Sequence, residues 1–203
     1  MKTRAAPVWR WRAPGERWLE RFRAEVRDAP FSYAAVGATR NEADAAPAGF
    51  DLDDNRVRLG SGDEVWTRAC AAVRAWKMFP GPWTRISLAD TPIRAGEVVA
   101  MQAKAFGVWW VNACRIVYVI EEAGALRRSG FAYGTLPAHV ESGEERFSVE
   151  MDAAGDVWYE VRAFSRPRYW PVRLMKPLAR RLQARFVRDS KRAMREAVKG
   201  EVS

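Results

Sequence analysis

One histidine followed by a group of glutamates is the part of the sequence best suited to proton transfer. His139 is the only histidine, and Glu141, Glu144 and Glu145 lie within the next six residues. An imidazole titrates near neutral pH and a carboxylate can orient it, so His139 is a candidate general acid or base with Glu144 or Glu145 as its partner. The alternative is a loop histidine that caps a strand end while Glu141 and Glu144 lie in water, which is the commoner use of such a group.

The same residues give little indication of a metal or cofactor site. A metal site in a protein needs three or four converging ligands, and one histidine with a few nearby glutamates does not supply them. The sequence also contains no Gly-x-Gly-x-x-Gly, Walker or His-Glu-x-x-His motif. We therefore predict neither a metal ion nor a cofactor.

Three further side chains are candidates for contact with a small molecule. Tyr133 and Thr135 share one face of a predicted strand, so their hydroxyls would be polar anchors if that face lines an apolar cavity. Alternatively, each hydroxyl bonds the backbone of a neighbouring strand. Arg166 follows the last predicted strand and could bind a carboxylate or phosphate at the mouth of the cavity, or pair with a glutamate of the fold.

The elements that must position these residues follow from periodicity and from turn residues. Helical spacing predicts a helix over 14–29 and a second helix that begins at Ser61 with a capping box to Glu64 and ends before Pro80. A strand is predicted over 31–38 and a loop over 39–56. Short segments of strand-forming residues predict strands at 83–88, 97–105, 108–121, 125–135, 144–152 and 157–165, and a long helix closes the chain over 172–199.

This order of elements predicts an α+β fold. Short connections between successive strands indicate an antiparallel meander, so we expect a curved antiparallel β-sheet of about six or seven strands gripping the long C-terminal α-helix. With 203 residues, of which 48% are hydrophobic, the chain can bury a substantial core. We expect a single domain over 1–203, with an N-terminal helical extension over 1–30 and a core over 31–199.

Charge is concentrated at the two ends of the chain. The net charge is +9, and the C-terminal helix carries an arginine-rich face opposite its apolar stripe. Such a face could bind an anionic surface, either a membrane or a nucleic acid, or it could be a solvated helix face. No specific nucleic-acid motif is present. The candidate residues for an anionic surface are Arg180, Arg181, Arg185, Arg188 and Arg192.

The two cysteines and the N-terminus bear on cellular location. Cys70 and Cys114 are too few for a disulfide framework, and both lie in apolar stretches. The N-terminus has no apolar stretch of signal-peptide length, and the most apolar segment, 108–120, is too short and too polar to cross a bilayer. We therefore expect a cytoplasmic protein.

Several motifs together resemble those of one protein family. They are the block Gly-Phe-Ala-Tyr-Gly-Thr-Leu-Pro over 130–137, Phe-Ser-Tyr over 31–33, Leu-Gly-Ser-Gly over 59–62 and Ala-Phe-Ser-Arg-Pro over 163–167. Over about residues 31–195 the chain resembles the family of bacterial and plant proteins known as domain of unknown function DUF1990. The resemblance implies a small soluble protein with a helix-grip fold similar to START and Bet v 1-like proteins, and it supplies no catalytic or ligand-binding residues.

Three hypotheses of function follow. In helix-grip proteins the sheet and the long helix enclose a cavity for an apolar ligand, so the leading hypothesis is a binding protein for a small apolar or lipid-like molecule, with Tyr133, Thr135 and Arg166 as its polar groups. The first alternative is an enzyme on the same scaffold that uses His139 as general acid or base. The second is an anionic-surface binder that uses the basic C-terminal helix.

Overall fold

Two helices lie in the N-terminal part of the chain, six consecutive strands follow them, and two further helices follow the last strand. The computed structural model describes residues 6–41, 46–87 and 91–199. In chain order the elements are β1 (Val8–Arg10), α1 (Glu16–Val26), a 3-10 turn (Ala38–Arg40), β2 (Asp51–Ser61), α2 (Asp63–Arg74), β3 (Thr84–Ser87), β4 (Val98–Ala105), β5 (Val108–Glu122), β6 (Arg127–Thr135), β7 (Glu141–Met151), β8 (Asp156–Pro167), α3 (Trp170–Leu174) and α4 (Lys176–Val198).

All strand pairs that the structure describes are antiparallel. The order across the sheet is β2-β8-β7-β6-β5-β4-β3, and β1 pairs with β5 beside this path. Strands β3 to β8 are each hydrogen-bonded to the next strand in the chain. Strand β2 pairs with β8 and forms the edge of the sheet opposite β3. The curled antiparallel sheet with a long helix across it confirms the predicted α+β fold class.

The inner face of the sheet carries the main apolar core together with α2 and α4. Phe131, Phe147 and Tyr159 come from adjacent strands of the sheet and are fully buried. Met194 of α4 and Val73 of α2 pack in the same cluster. Removing this much apolar surface from water is the main driving force for folding, so the two helices are held on the concave side of the sheet.

The outer face is covered near β4 and β5 by the N-terminal extension. Leu19, Phe22 and Val26 of α1 lie against a second cluster that includes Val98 and Val111. Strand β1, which was not predicted, adds three residues to β5. The extension over 1–30 therefore packs on the sheet where the structure describes it, and residues 1–5 lie outside the described part.

Two of the predicted elements near the N-terminus are wrong. Segment 31–38, predicted as a strand, forms no ladder; it lies on the outer face, where the Ser32 amide donates to the Thr135 carbonyl at 2.9 Å. The predicted loop over 39–56 contains the beginning of β2, because Asp51 lies opposite Ser165 in a ladder that continues to Ser61. The described residues do not include 42–45 of that loop, residue 88 of a predicted strand, or 200–203.

Two helix boundaries also differ from the prediction. Ser61 is the last residue of β2, and Gly62, with a φ of 88°, precedes α2 without any side-chain cap, so the predicted capping box is wrong. Glu64 pairs instead with Arg68 one turn later. The final helix is divided at Met175 into α3 and α4; Pro177, which lacks an N–H, lies in the first turn of α4, as is usual where a helix begins.

Candidate functional site

A cavity of about 580 Å³ lies between the inner face of the sheet and α4. Its walls are mostly apolar, and it is open to solvent where exposed residues such as Phe106 and Met175 line it. Strands β2 to β8 and α4 contribute, because the sheet curls around a helix that does not fill its concave side. The residues that line it include Asp53, Phe79, Trp83, Tyr133, Thr135, His139, Glu141, Glu145, Ala163, Arg180, Gln183 and Phe186.

Aromatic rings form one wall of the cavity. The ring centroids of Phe79 and Phe186 are 5.3 Å apart, and the centroid of Tyr133 lies 6.4 Å from that of Phe79. Phe79 follows α2 and Phe186 belongs to α4, so this wall forms only when both helices pack on the sheet. Phe79 and Phe186 were not among the predicted site residues.

Glu145 is a carboxylate of the cavity that forms no ion pair among the described residues. Tyr133 lies opposite it on β6 and donates a hydrogen bond from Oη to Glu145 Oε2 at 2.6 Å. Burial raises the pKa of the Glu145 carboxyl to about 7, although the Tyr133 hydrogen bond acts in the opposite direction. No basic side chain in the described part of the chain lies within ion-pair distance of Glu145.

A second polar group lies where β2, β7 and α4 meet. Gln183 donates from Nε2 to Glu141 Oε1 at 2.7 Å. Arg180 binds both carboxylate oxygens of Asp53, one of them at 2.6 Å from Nη2. Burial raises the pKa of Glu141, and the Gln183 hydrogen bond opposes that change. The charge of Arg180 is therefore already balanced within the fold.

His139 lines the cavity but does not have the arrangement predicted for a general base. Its Nδ1 accepts a hydrogen bond from the Glu141 backbone N–H at 2.9 Å, so the neutral ring carries its proton on Nε2. Burial lowers the pKa of His139 to about 3. In the described residues neither Glu144 nor Glu145 bonds the imidazole, so the predicted pairing with either carboxylate is not formed.

Glu144 lies on the opposite face of β7 from Glu145, because side chains alternate along a strand. Its carboxylate accepts hydrogen bonds from Tyr33 Oη at 2.7 Å, from the Gly37 amide at 2.7 Å and from the Thr39 amide at 3.0 Å. These contacts fix segment 31–40 on the outer face of the sheet. The predicted role of Glu144 beside His139 is therefore replaced by a structural one.

Two of the three residues predicted to contact a ligand line the cavity, and the third does not. Tyr133 and Thr135 both line the cavity, as side chains two residues apart on a strand should. The Thr135 hydroxyl accepts from the Gly143 amide at 2.9 Å and lies 2.6 Å from Ser32 Oγ. Arg166 lies outside the cavity, with its guanidinium 4.4 Å from the ring centre of Phe50. The geometry separates Arg166 from the candidate site.

The arginines predicted to contact an anionic surface have unequal surroundings. Arg180 is held by Asp53, and Arg185 lies over the Trp83 ring at 4.4 Å. Arg185, Arg188 and Arg192 each have a guanidinium nitrogen 3.4 to 3.7 Å from a carboxylate oxygen of the buried Asp189, which can balance only one of their three charges. The five residues are Arg180, Arg181, Arg185, Arg188 and Arg192.

A family model described as "Domain of unknown function (DUF1990)" matches residues 32–193. The chain belongs to this family. A UPF0548 protein of Dictyostelium discoideum is 35% identical over 93% of this chain and 94% of its own length. Another, from Deinococcus radiodurans, is 35% identical over 90% of this chain and 95% of its own length. The Arabidopsis thaliana relative is 31% identical over 80% of each chain.

Solved structures extend the comparison to the fold. A crystal structure of a hypothetical Helicobacter pylori protein, jhp0584, has a TM-score of 0.51 and 10% identity, covering 73% of this DUF1990 chain and 88% of its own. The crystal structure of Ara h 8.0201 has a TM-score of 0.46 and 13% identity, covering 74% of this chain and 98% of its own. The first likeness bears on the fold alone.

The described residues contain neither a cluster of metal ligands nor a membrane-spanning helix. No three histidine, cysteine, aspartate or glutamate side chains converge as metal ligands. No described helix has both the length and the apolar character needed to cross a membrane.

Proposed function

We propose that this DUF1990 protein binds a small, mainly apolar molecule in the cavity between the sheet and α4. The observation that carries the proposal is the cavity itself. Its volume of about 580 Å³ lies within the range of small-molecule sites, and its walls are mostly apolar with a few polar groups. Unfilled apolar space forfeits packing contacts, so a ligand that fills this cavity should stabilise the fold.

A fluorescence titration tests the proposal. The probe is N-phenyl-1-naphthylamine, an uncharged molecule whose emission rises in apolar surroundings. Wild-type protein is expected to bind it saturably, and Ala163→Phe, which places a ring in the cavity from β8, should weaken binding by about tenfold or more. Ala71→Phe adds the same ring to the exposed surface of α2 and is the matched control.

Two outcomes would overturn the binding proposal. One is the absence of saturable binding by the wild-type protein. The other is equal binding by Ala163→Phe when circular dichroism and thermal melting show that this variant folds like Ala71→Phe. Native mass spectrometry of freshly purified protein adds an independent measurement, because a bound molecule would appear as a stoichiometric added mass.

An enzymatic role for His139 has less support than binding. The neutral ring has no free lone pair, because Nδ1 accepts from the backbone and Nε2 carries the proton. The substitution His139→Gln should therefore leave binding of the uncharged probe within about threefold of wild type, since it removes no apolar wall.

An exposed apolar segment beside the cavity supports a second function. Trp170 and Leu174 of α3 are 67% and 76% exposed, and Met175, which lines the cavity, is 44% exposed. Arg173 lies in the same stretch of chain, and so does Lys176, which pairs with Asp51 at 2.9 Å. We propose that this α3 segment docks on an anionic lipid surface, since exposed aromatic and aliphatic side chains with adjacent cations suit the membrane interface.

Vesicle co-sedimentation tests the docking proposal. At low salt the protein is expected to bind vesicles containing phosphatidylserine and not vesicles of phosphatidylcholine alone, and the double change Trp170→Ser with Leu174→Ser should abolish binding. Leu126→Ser, which removes an exposed leucine from another turn, is the control. Failure to bind the anionic vesicles would refute the proposal, as would tighter binding to an RNA oligonucleotide that the double change leaves unaltered.

We also propose a cytoplasmic location. Cys70 and Cys114 are both buried free thiols, and a reducing compartment keeps such thiols reduced. Fractionation of cells that produce the protein at its native level should recover it with cytoplasmic markers.

A further inference from the structure

The Glu145 carboxylate is an unusual group to leave inside an apolar cavity. Tyr133 satisfies Oε2, whereas no described side chain bonds Oε1, and no basic side chain is within ion-pair distance. Glu145 is half-buried and lines the open cavity, so a molecule that enters the cavity can reach its carboxylate. A ligand with a cationic donor group would form a charge-assisted hydrogen bond with this carboxylate.

The charges around Glu145 add to its negative potential. Glu141 on the same strand and Asp53 on β2 both raise the pKa of Glu145, because each repels a further negative charge at this place. Three basic side chains of α4 line the cavity: Asp53 holds Arg180 in a two-oxygen ion pair, Arg188 lies 3.7 Å from Asp189, and Lys191 bonds Asn55. None of them is among the groups that shift the pKa of Glu145. From β6 Tyr133 contributes a hydroxyl and no charge at neutral pH. The potential in this part of the cavity is therefore negative.

Aromatic rings border the same carboxylate. Tyr133 contacts Glu145 directly, and the rings of Phe79 and Phe186 continue the wall from it. The faces of aromatic rings attract cations within about 6 Å, and the attraction is larger when water is excluded. A carboxylate at the end of an aromatic wall is suited to an organic cation whose apolar body lies along the rings.

From these observations we infer that the ligand of the cavity is an amine: an apolar body with a protonated amino group that donates to Glu145 Oε1. The inference rests on the proposed function, because it assigns a chemical class to the molecule in that cavity. An ammonium has three N–H donors and one positive charge, so it satisfies the free oxygen and balances the carboxylate. A fatty acid would place its own carboxylate against Glu141 and Glu145.

Competition among three eight-carbon molecules tests the inference. Octylamine, octanol and octanoate are each used to displace N-phenyl-1-naphthylamine at about pH 8, where an alkyl amine is protonated as lysine is. We expect wild-type protein to bind octylamine about tenfold or more tightly than octanol, a difference typical of one charge-assisted hydrogen bond, and octanoate most weakly.

The variant Glu145→Gln identifies the residue responsible. It keeps the shape and a hydrogen-bonding side chain while removing the charge, so the affinities for octylamine and octanol should become similar. Glu122→Gln removes an exposed carboxylate from β5 and controls for the change in net charge. That control should keep the wild-type preference for the amine.

The outcomes separate this inference from the binding proposal. If N-phenyl-1-naphthylamine does not bind at all, the binding proposal fails. If the probe binds but wild type shows no preference for octylamine, or if Glu145→Gln keeps that preference, the amine inference alone is overturned. Tightest binding of octanoate would also overturn it and would point to the cationic side chains of α4.

Discussion

Replacing Glu145 by glutamine should change how the stability of the protein depends on pH. Burial raises the pKa of this carboxyl from 4.5 in its ordinary state to about 7 in the folded protein. Each unit of pKa difference corresponds to about 1.4 kcal/mol, so the ionised form costs the fold about 3 kcal/mol relative to the protonated form. Glutamine resembles the protonated acid and has no such cost.

The direction of the effect follows from proton binding. Between about pH 4.5 and 7 the folded state holds the Glu145 proton while the unfolded state has released it, so the free energy of unfolding of wild-type protein falls as pH rises. The loss is complete above about pH 8. Relative to wild type, Glu145→Gln should therefore gain about 2.5 kcal/mol between pH 5 and pH 8.

Urea denaturation followed by tryptophan fluorescence measures this difference. The two proteins are compared at several pH values from about 5 to 8. Only the difference in their free energies of unfolding is interpreted, since titrating groups distant from Glu145 contribute equally to both proteins and cancel. Glu122→Gln gives the baseline for losing an exposed carboxylate. A difference that stays constant across this pH range would refute the assignment of Glu145 as a buried carboxyl with a raised pKa.

Three further predictions concern the outer face and the histidine. Gly134→Ala should lower the free energy of unfolding by about 2 kcal/mol, because the new methyl overlaps Tyr33 Oη; a smaller change than about 0.5 kcal/mol in urea denaturation would contradict this packing. Glu144→Ala should cost about 3 kcal/mol, since it leaves the Tyr33 hydroxyl and the Gly37 amide without their acceptor, and unaltered stability would show that this segment is not fixed by the carboxylate. The single His139 ring should keep constant NMR shifts from about pH 5 to 8, because burial lowers its pKa to about 3; a titration midpoint near 6.5 would contradict its burial.

The strands that carry the cavity could be predicted well from the sequence. Phe147, Val149 and Met151 alternate with polar residues, and this pattern placed both β7 and its pairing with β8. The apolar stripe of α4 predicted the long C-terminal helix, apart from the division at Met175. These elements have one buried face each, so their periodicity is visible without knowledge of their partners.

Strand β2 could not be predicted because it is polar and lies at an edge. Asp51, Asp53 and Asn55 resemble loop residues, yet β8 supplies their ladder and α4 supplies Arg180 and Lys191 as partners. Charged residues are common on edge strands, where they discourage pairing with other chains. The evidence for β2 therefore lies in residues more than a hundred positions away.

Segment 31–38 was predicted as a strand but forms no ladder. Phe31 and Tyr33 alternate with smaller residues as they would in a strand, but the segment packs over the outer face through side chains and is fixed by Glu144. Its only ladder-like contact in the described residues is the Ser32 amide to the Thr135 carbonyl. Alternation alone cannot distinguish a strand from an extended segment lying on a sheet.

The separation of Glu144 from Glu145 was within reach of the sequence. Phe147, Val149 and Met151 belong to the core, so odd-numbered positions of β7 face inward. Extending that alternation toward the start of the strand puts the Glu145 side chain on the inner face, where Tyr133 bonds it, and the Glu144 side chain on the outer face, where Tyr33 bonds it. Proximity to His139 along the chain suggested one role for both carboxylates. The alternation of side chains along β7 gives each a different role: Glu144 fixes segment 31–40 on the outer face, and Glu145 is available to a molecule bound in the cavity.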